Sequence, residues 1–296
     1  MSTVMRGIFP VLETALDANG GLDEASLRKQ VDFCIEAGAH GLVYPVLGSE
    51  FQYLAQSQRH RMSAAVVDQA AGRTPVVVGV AGTSQADALE HARHAATLAA
   101  DAVIALPPYL SSGTPDQIES YYRAIADAVE VPVFIQHTSG GISIATMRQL
   151  FEDVDNISYL KEEMAPSAHQ ISAVVDQVGD ACLGIFGGGF GRWMLSELDR
   201  GATGFMPAAE SVDVHVQIWD AYQAGDKRRA RDLYNQLLPL LNLCLSLGIP
   251  MCKEVLVRRG VFSAATMLIP GSTVLDEADQ RELDIILEDL RPLFKL

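Results

Sequence analysis

Short apolar runs alternate with longer amphipathic ones along most of the chain. Runs at 7–12, 40–46, 74–79, 102–106, 131–136, 156–161, 182–186 and 201–206 are brief and rich in Val, Ile, Leu, Phe and Tyr, and so predict buried strands. Between them, segments near 23–37, 55–71, 85–99, 115–129, 143–152, 167–178 and 192–198 space apolar residues at helical intervals. Beyond about residue 210 the strand signal stops. Three further helical patterns follow, near 211–223, 226–247 and 276–292.

Eight strand-then-helix units at roughly even spacing imply parallel strands joined by helical crossovers. That number predicts a closed (β/α)8 TIM barrel, a fold that takes about 250 residues. We assign residues 1–223 to the barrel and 224–296 to a C-terminal helical extension packed on it. A doubly wound open sheet is the competing fold, but no GxGxxG or GKS/GKT loop follows an early strand. Gly187-Gly188-Gly189 precedes a helix and either approaches a ligand closely or only turns the chain.

The 296 residues are 49 % hydrophobic, enough for one large core or two modest ones. A net charge of −15 argues against nucleic acid and anionic membrane surfaces as partners. Cys34, Cys182, Cys244 and Cys252 show no CxxC, and the seven histidines form no HxxxH or HExxH, so neither metal nor disulfide spacing is evident. No long apolar span occurs, and Met1-Ser2-Thr3-Val4-Met5-Arg6 lacks the apolar core of a signal peptide. A cytoplasmic protein without metal or cofactor is expected.

The segment with most chemical content is Asn156-Ile157-Ser158-Tyr159-Leu160-Lys161-Glu162-Glu163. A buried strand excludes an unpaired ammonium, so a lysine at its carboxyl end is expected as the neutral amine that attacks a carbonyl. The plainer alternative is a strand-end lysine reaching solvent. Barrel sites are built at the carboxyl ends of the strands. Those ends carry Leu47-Gly48-Ser49-Glu50, Pro107-Pro108-Tyr109, Gln136-His137-Thr138-Ser139, Lys161-Glu162-Glu163 and the glycine run. One amine amid hydrogen-bonding groups suits iminium chemistry on a small 2-keto acid.

In this order the motifs resemble the dihydrodipicolinate synthase / N-acetylneuraminate lyase family. The landmarks are Glu36-Ala37-Gly38 with Gly41-Leu42, Gly72 to Gly79, Pro107-Pro108-Tyr109, Val131-Pro132-Val133, Leu160-Lys161-Glu162 and Gly201-Ala202-Thr203-Gly204, spanning about Gly7 to Pro270. The resemblance implies a Schiff-base role for Lys161 and a homo-oligomer. Departures are equally informative. Where the family carries its Thr–Tyr–Tyr proton relay, this chain has Leu47, Leu110 and Gln136, and the arginine usual after strand five is not evident in Thr138-Ser139-Gly140-Gly141. Dihydrodipicolinate synthase activity is therefore not expected. The set Ser49-Glu50, Gln136 and Gly201-Ala202-Thr203-Gly204 is similar to 2-keto-3-deoxy-L-arabinonate dehydratases, although His137 stands where that branch commonly has an acid.

The expected catalytic residues are Lys161, His137 and Glu50. His137 is an acid or base, since histidine is the side chain type suited to proton transfer near neutrality, or only a hydrogen-bonding group. Glu50 is a base at the mouth or a loop brace. Ser49, Gly48, Gln136, Gly188 and Gly189 are the expected substrate contacts; Ser49 alternatively caps a turn, and Gln136 alternatively fills the space of a lost ring. Strand alternation allows at most one of Glu162 and Glu163 to face the mouth, and Tyr109 is expected to pack. The resulting expectation is a Schiff-base dehydratase of a 2-keto-3-deoxy sugar acid. An aldolase releasing pyruvate and a silent keto-acid-binding barrel are the alternatives.

Overall fold

The computed structural model describes residues 4–110, 113–138 and 141–296. The expectations that touch Met1, Ser2, Thr3, Ser139 and Gly140 lie outside these. Eight parallel strands form one sheet: β1 (Gly7–Ile8), β2 (Leu42–Tyr44), β3 (Val76–Gly79), β4 (Ala102–Ala105), β5 (Val133–His137), β6 (Ile157–Glu162), β7 (Gly184–Gly187) and β8 (Gly204–Phe205). Their order is β1-β8-β7-β6-β5-β4-β3-β2. Val11, just past β1, bridges to Val43 of β2 and to Ala208, so the sheet closes on itself.

Helices α1 (Glu24–Glu36), α2 (Gln56–Ala70), α3 (Gln85–Thr97), α4 (Pro115–Asp127), α5 (Ile144–Asp153), α6 (Ser167–Val178), α7 (Met194–Leu198) and α8 (Val212–Gln223) follow the strands in turn. Local chemistry starts several of them. Asp23, Ser84 and Ser143 accept backbone N–H groups at the starts of α1, α3 and α5. Thr114 and Gln117 form a capping box at α4, with Pro115 in the first turn, where its missing N–H is harmless. Then come α9 (Lys227–Leu247), α10 (Ile249–Arg258) and α11 (Glu277–Leu290).

The helix over Ile249–Arg258 is absent from the sequence expectation. Gly248 ends α9 at φ +77°, and Pro250 sits in the first turn of α10, where proline is tolerated.

The strands divide the core in two. Side chains alternate across each strand, so Phe9, Val43, Val77, Ile104, Phe134, Tyr159 and Phe186 fill the barrel interior. Their neighbours, such as Ile8, Leu42, Ile135 and Leu160, pack outward under the helices. Phe134 and Tyr159 stack with ring centroids 4.5 Å apart, closing the interior as a plug below the mouth. Two residues further along those strands stand Gln136 and Lys161, paired in register with each other; Lys161 is in turn paired with Phe186.

Candidate active site

Lys161 lies on β6, is 3 % exposed, and points inward on top of the aromatic plug. Its Nζ is 3.2 Å from Glu163 Oε1. Gln136 Nε2 donates to Glu163 Oε2 at 2.6 Å, so one carboxylate links the amine to the end of β5. Gln136 Oε1 is buried with no partner among the described residues. Lys161 and Glu163 border a cavity of about 270 Å³, lined besides by Val11, Leu47, Gly48, Gly189, Phe190, Met206, Ala208 and Ile249, with Gln136 behind Glu163. Lys161 and Glu163 are the ionisable groups among its lining residues.

Glu163 follows from strand periodicity: it stands two residues past Lys161 and shares its face. Glu162 takes the other face, where His137 also sits. His137 Nδ1 lies 2.7 Å from Glu162 Oε2, and Met164 N donates to Glu162 Oε1 at 2.7 Å, both in the layer beneath the helices. The expectation of His137 as acid or base at the mouth is therefore corrected. One residue of alternation carries its ring out of the barrel, and its partner there is a buried carboxylate rather than a substrate.

Glu50 is likewise corrected. It sits at φ +57° between two short 3-10 turns, fully buried. Its carboxylate pairs with the buried Lys253 of α10 and accepts from Leu268 N at 2.7 Å and Ile269 N at 3.0 Å. With Lys253 Nζ also donating to Thr266 O at 2.8 Å, the pair straps the segment after α10 to the loop after β2. Burial pulls the Lys253 pKa below the ordinary lysine value, while Glu50 works against that pull. Sequence reasoning missed Lys253, because its partner lies 203 residues away.

Ser49 does not face the cavity with its side chain. Its hydroxyl donates to Leu12 O at 2.6 Å and accepts from Val46 N at 3.1 Å, the turn-capping alternative. Gly48 and Gly189 line the cavity. Gly188 flanks Glu163: a Cβ there would lie 2.6 Å from Glu163 Cδ, so only glycine lets that carboxylate stand where it does. Tyr109 packs edge-on against Phe51 at 5.4 Å between centroids, and Leu110 is 79 % exposed.

Comparison with known proteins decides the family. The profile of the dihydrodipicolinate synthetase family matches residues 4–290. The chain belongs to this family. Among its family relatives, the L-2-keto-3-deoxyarabonate dehydratase of Azospirillum brasilense is 30% identical over 292 residues, 97% of this chain and 91% of that protein. The 4-hydroxy-tetrahydrodipicolinate synthase of Methylobacterium radiotolerans is 32% identical over 242 residues, 80% of this chain and 79% of that protein. Dihydrodipicolinate synthase from Rhodopseudomonas palustris superposes with a TM-score of 0.88 at 25% identity, over 97% of this chain and 98% of that one. The family thus holds lyases named as dehydratases, aldolases and synthases.

Away from the cavity, Glu210, Cys244 and Cys252 bring potential metal-ligand atoms within 4.8 Å of one another, a clustering that sequence spacing did not reveal. Each thiol already has an acceptor: Cys244 Sγ is 3.8 Å from Glu210 Oε1, and Cys252 Sγ is 3.9 Å from Gly248 O. Among the described residues no helix is long and apolar enough to cross a membrane.

Proposed function

We propose that this protein is a Schiff-base lyase that dehydrates a 2-keto-3-deoxy sugar acid such as 2-keto-3-deoxy-L-arabinonate. The observation that carries the reading is the Lys161–Glu163 pair, 3.2 Å apart in a small cavity with no other ionisable lining residue. The dehydratase relative, matched across 91% of its length, supports the same choice.

Glu163 takes up the ammonium proton, the free Lys161 amine adds to the C2 carbonyl, and Glu163 gives that proton to the carbinolamine hydroxyl, which leaves as water to form the protonated iminium and regenerate the carboxylate. The substrate carboxylate rests against the backbone of Gly48. The iminium acidifies C3. Glu163, already within contact distance of Nζ, reaches the C3 hydrogen, removes it, and returns that proton to the departing C4 hydroxyl. One carboxylate shuttles one proton, and water leaves. Gln136 holds Glu163 by Oε2 and so aims Oε1, which lies against Lys161 Nζ and accepts from Gly189 N, at the reacting atoms. General acid–base help of this kind contributes about 10²–10⁴-fold. Hydrolysis then releases Lys161 and the unsaturated keto acid, which for the pentonate rearranges to 2-oxoglutarate semialdehyde.

Retro-aldol cleavage starts from the same iminium but needs a base on the C4 hydroxyl. The relay positions hold Leu47, Leu110 and Gln136, none of them a base, so cleavage would have to draw on Glu163, which in the dehydratase reading works on the C3 hydrogen instead. Two Escherichia coli relatives named as aldolases, YagE and YjhH, are 26% and 28% identical and keep cleavage as the second reading. NMR of the reaction with 2-keto-3-deoxy-L-arabinonate in D2O decides between them. Dehydration gives C3 exchange and the semialdehyde; pyruvate beside a two-carbon aldehyde as the main products overturns it.

A further inference from the structure

Beyond the reacting atoms, the cavity wall is apolar. Val11, Leu47, Met206, Ala208 and Ile249 contribute hydrocarbon, and Phe190 adds a ring. Lys161 and Glu163 are occupied at C2, C3 and C4. Among the described residues no hydroxyl lines the cavity: beside it Ser49 donates to Leu12 O, and Thr14 and Tyr44 pair with each other at 3.1 Å. Behind Glu163, the buried Gln136 Oε1 has no partner among the described residues, one acceptor within a side chain's shift of the cavity and enough for a single hydroxyl. A polyhydroxylated tail entering this space gives up its water and leaves donors unsatisfied, which costs binding, whereas an alkyl tail of the same length gains from leaving water.

We infer that the site selects 2-keto acids bearing a C4 hydroxyl and a tail past C4 that is apolar or carries at most one hydroxyl. This rests on the lyase reading above and narrows its substrate class: short pentonates and alkyl-tailed 4-hydroxy-2-keto acids fit, and hexonates do not. Leu47, at the rim of the cavity and 36 % exposed, is a specificity-determining residue in this scheme.

The test uses the intact wild-type protein and two acids of equal chain length, 4-hydroxy-2-ketohexanoate and a 2-keto-3-deoxyhexonate. Each competes with pyruvate for borohydride trapping, which reads iminium formation whether or not turnover follows. The alkyl compound is expected to be trapped at least tenfold more efficiently, equivalent to about 1.4 kcal/mol. In Leu47→Asn, which places an amide at the rim, the preference should shrink severalfold. Equal or better trapping of the hexonate overturns the inference while leaving the Schiff-base lyase intact. So does trapping of pyruvate with neither six-carbon acid. Failure of pyruvate itself to trap at Lys161 overturns the lyase reading instead.

Discussion

At the scale of residues, the candidate site reduces to Lys161, Glu163 and Gln136, and each makes a separable prediction. Lys161→Arg should abolish borohydride trapping with pyruvate, because a guanidinium stays protonated and cannot attack a carbonyl. Intact protein mass after reduction reads this, and an adduct that persists in the variant assigns the amine elsewhere. Glu163→Gln should lower kcat by at least about 100-fold, within the range of general acid–base contributions, while trapping at Lys161 still occurs but more slowly, since the carboxylate that takes the ammonium proton is gone. Gly188→Ala should act in the same direction, since its methyl would press on the Glu163 carboxyl group. His137→Ala should behave differently. It strips a partner from the buried Glu162, so stability falls by about 1–3 kcal/mol in urea unfolding, while kcat changes little for the protein that remains folded. A 100-fold loss of kcat at unchanged stability would contradict its outward placement.

At the scale of elements, the loop after β2 and the chain after α10 are joined by a buried ion pair. Lys253→Met leaves the Glu50 carboxylate buried with only two backbone N–H donors. Breaking a buried pair from one side costs about 3–5 kcal/mol, and a denaturant midpoint shift of that order is expected. Glu50 and Lys253 exchanged together for well-packed apolar residues should recover much of the loss. These elements were legible to very different degrees. The periodic signal placed α6 at 167–178 and α2 within one residue at each end of 56–70, since both are long and have clear apolar faces. The signal missed α10, a helix of only ten residues that begins directly after Gly248, with Pro250 in its first turn.

For the whole molecule, buried carboxylates outside the cavity set the pH dependence of stability. Burial, assisted by the nearby Glu210 charge, pushes Glu13 up to about 8, with Gln30 and Ala209 N donating to it. Burial also raises Glu197 to about 7, and Ser167 donates to it. In both cases the folded protein holds protons that the unfolded chain releases near 4.5. Their stabilising contribution is therefore complete below about pH 4.5 and is lost as pH rises through 7 to 8. Urea midpoints measured from pH 5 to pH 8 should fall, and Glu13→Gln should flatten that fall. A wild-type protein whose midpoint rises steadily across the window would show that other groups dominate.

The sequence alone determined the eightfold alternation of strand and helix, the place of Lys161 at a strand end, and the rule that Glu162 and Glu163 take opposite faces. All of these follow from local periodicity, in which neighbours along the chain are also neighbours in space. The tertiary structure alone decided which face is inside. It turned Glu163 to the cavity and His137 to Glu162. It gave Glu50 a lysine 203 residues distant, and it gathered Val11, Phe190, Met206 and Ile249 from four separate segments into one wall. Such pairings depend on how the closed sheet brings remote strand ends together, and no local pattern encodes that distance.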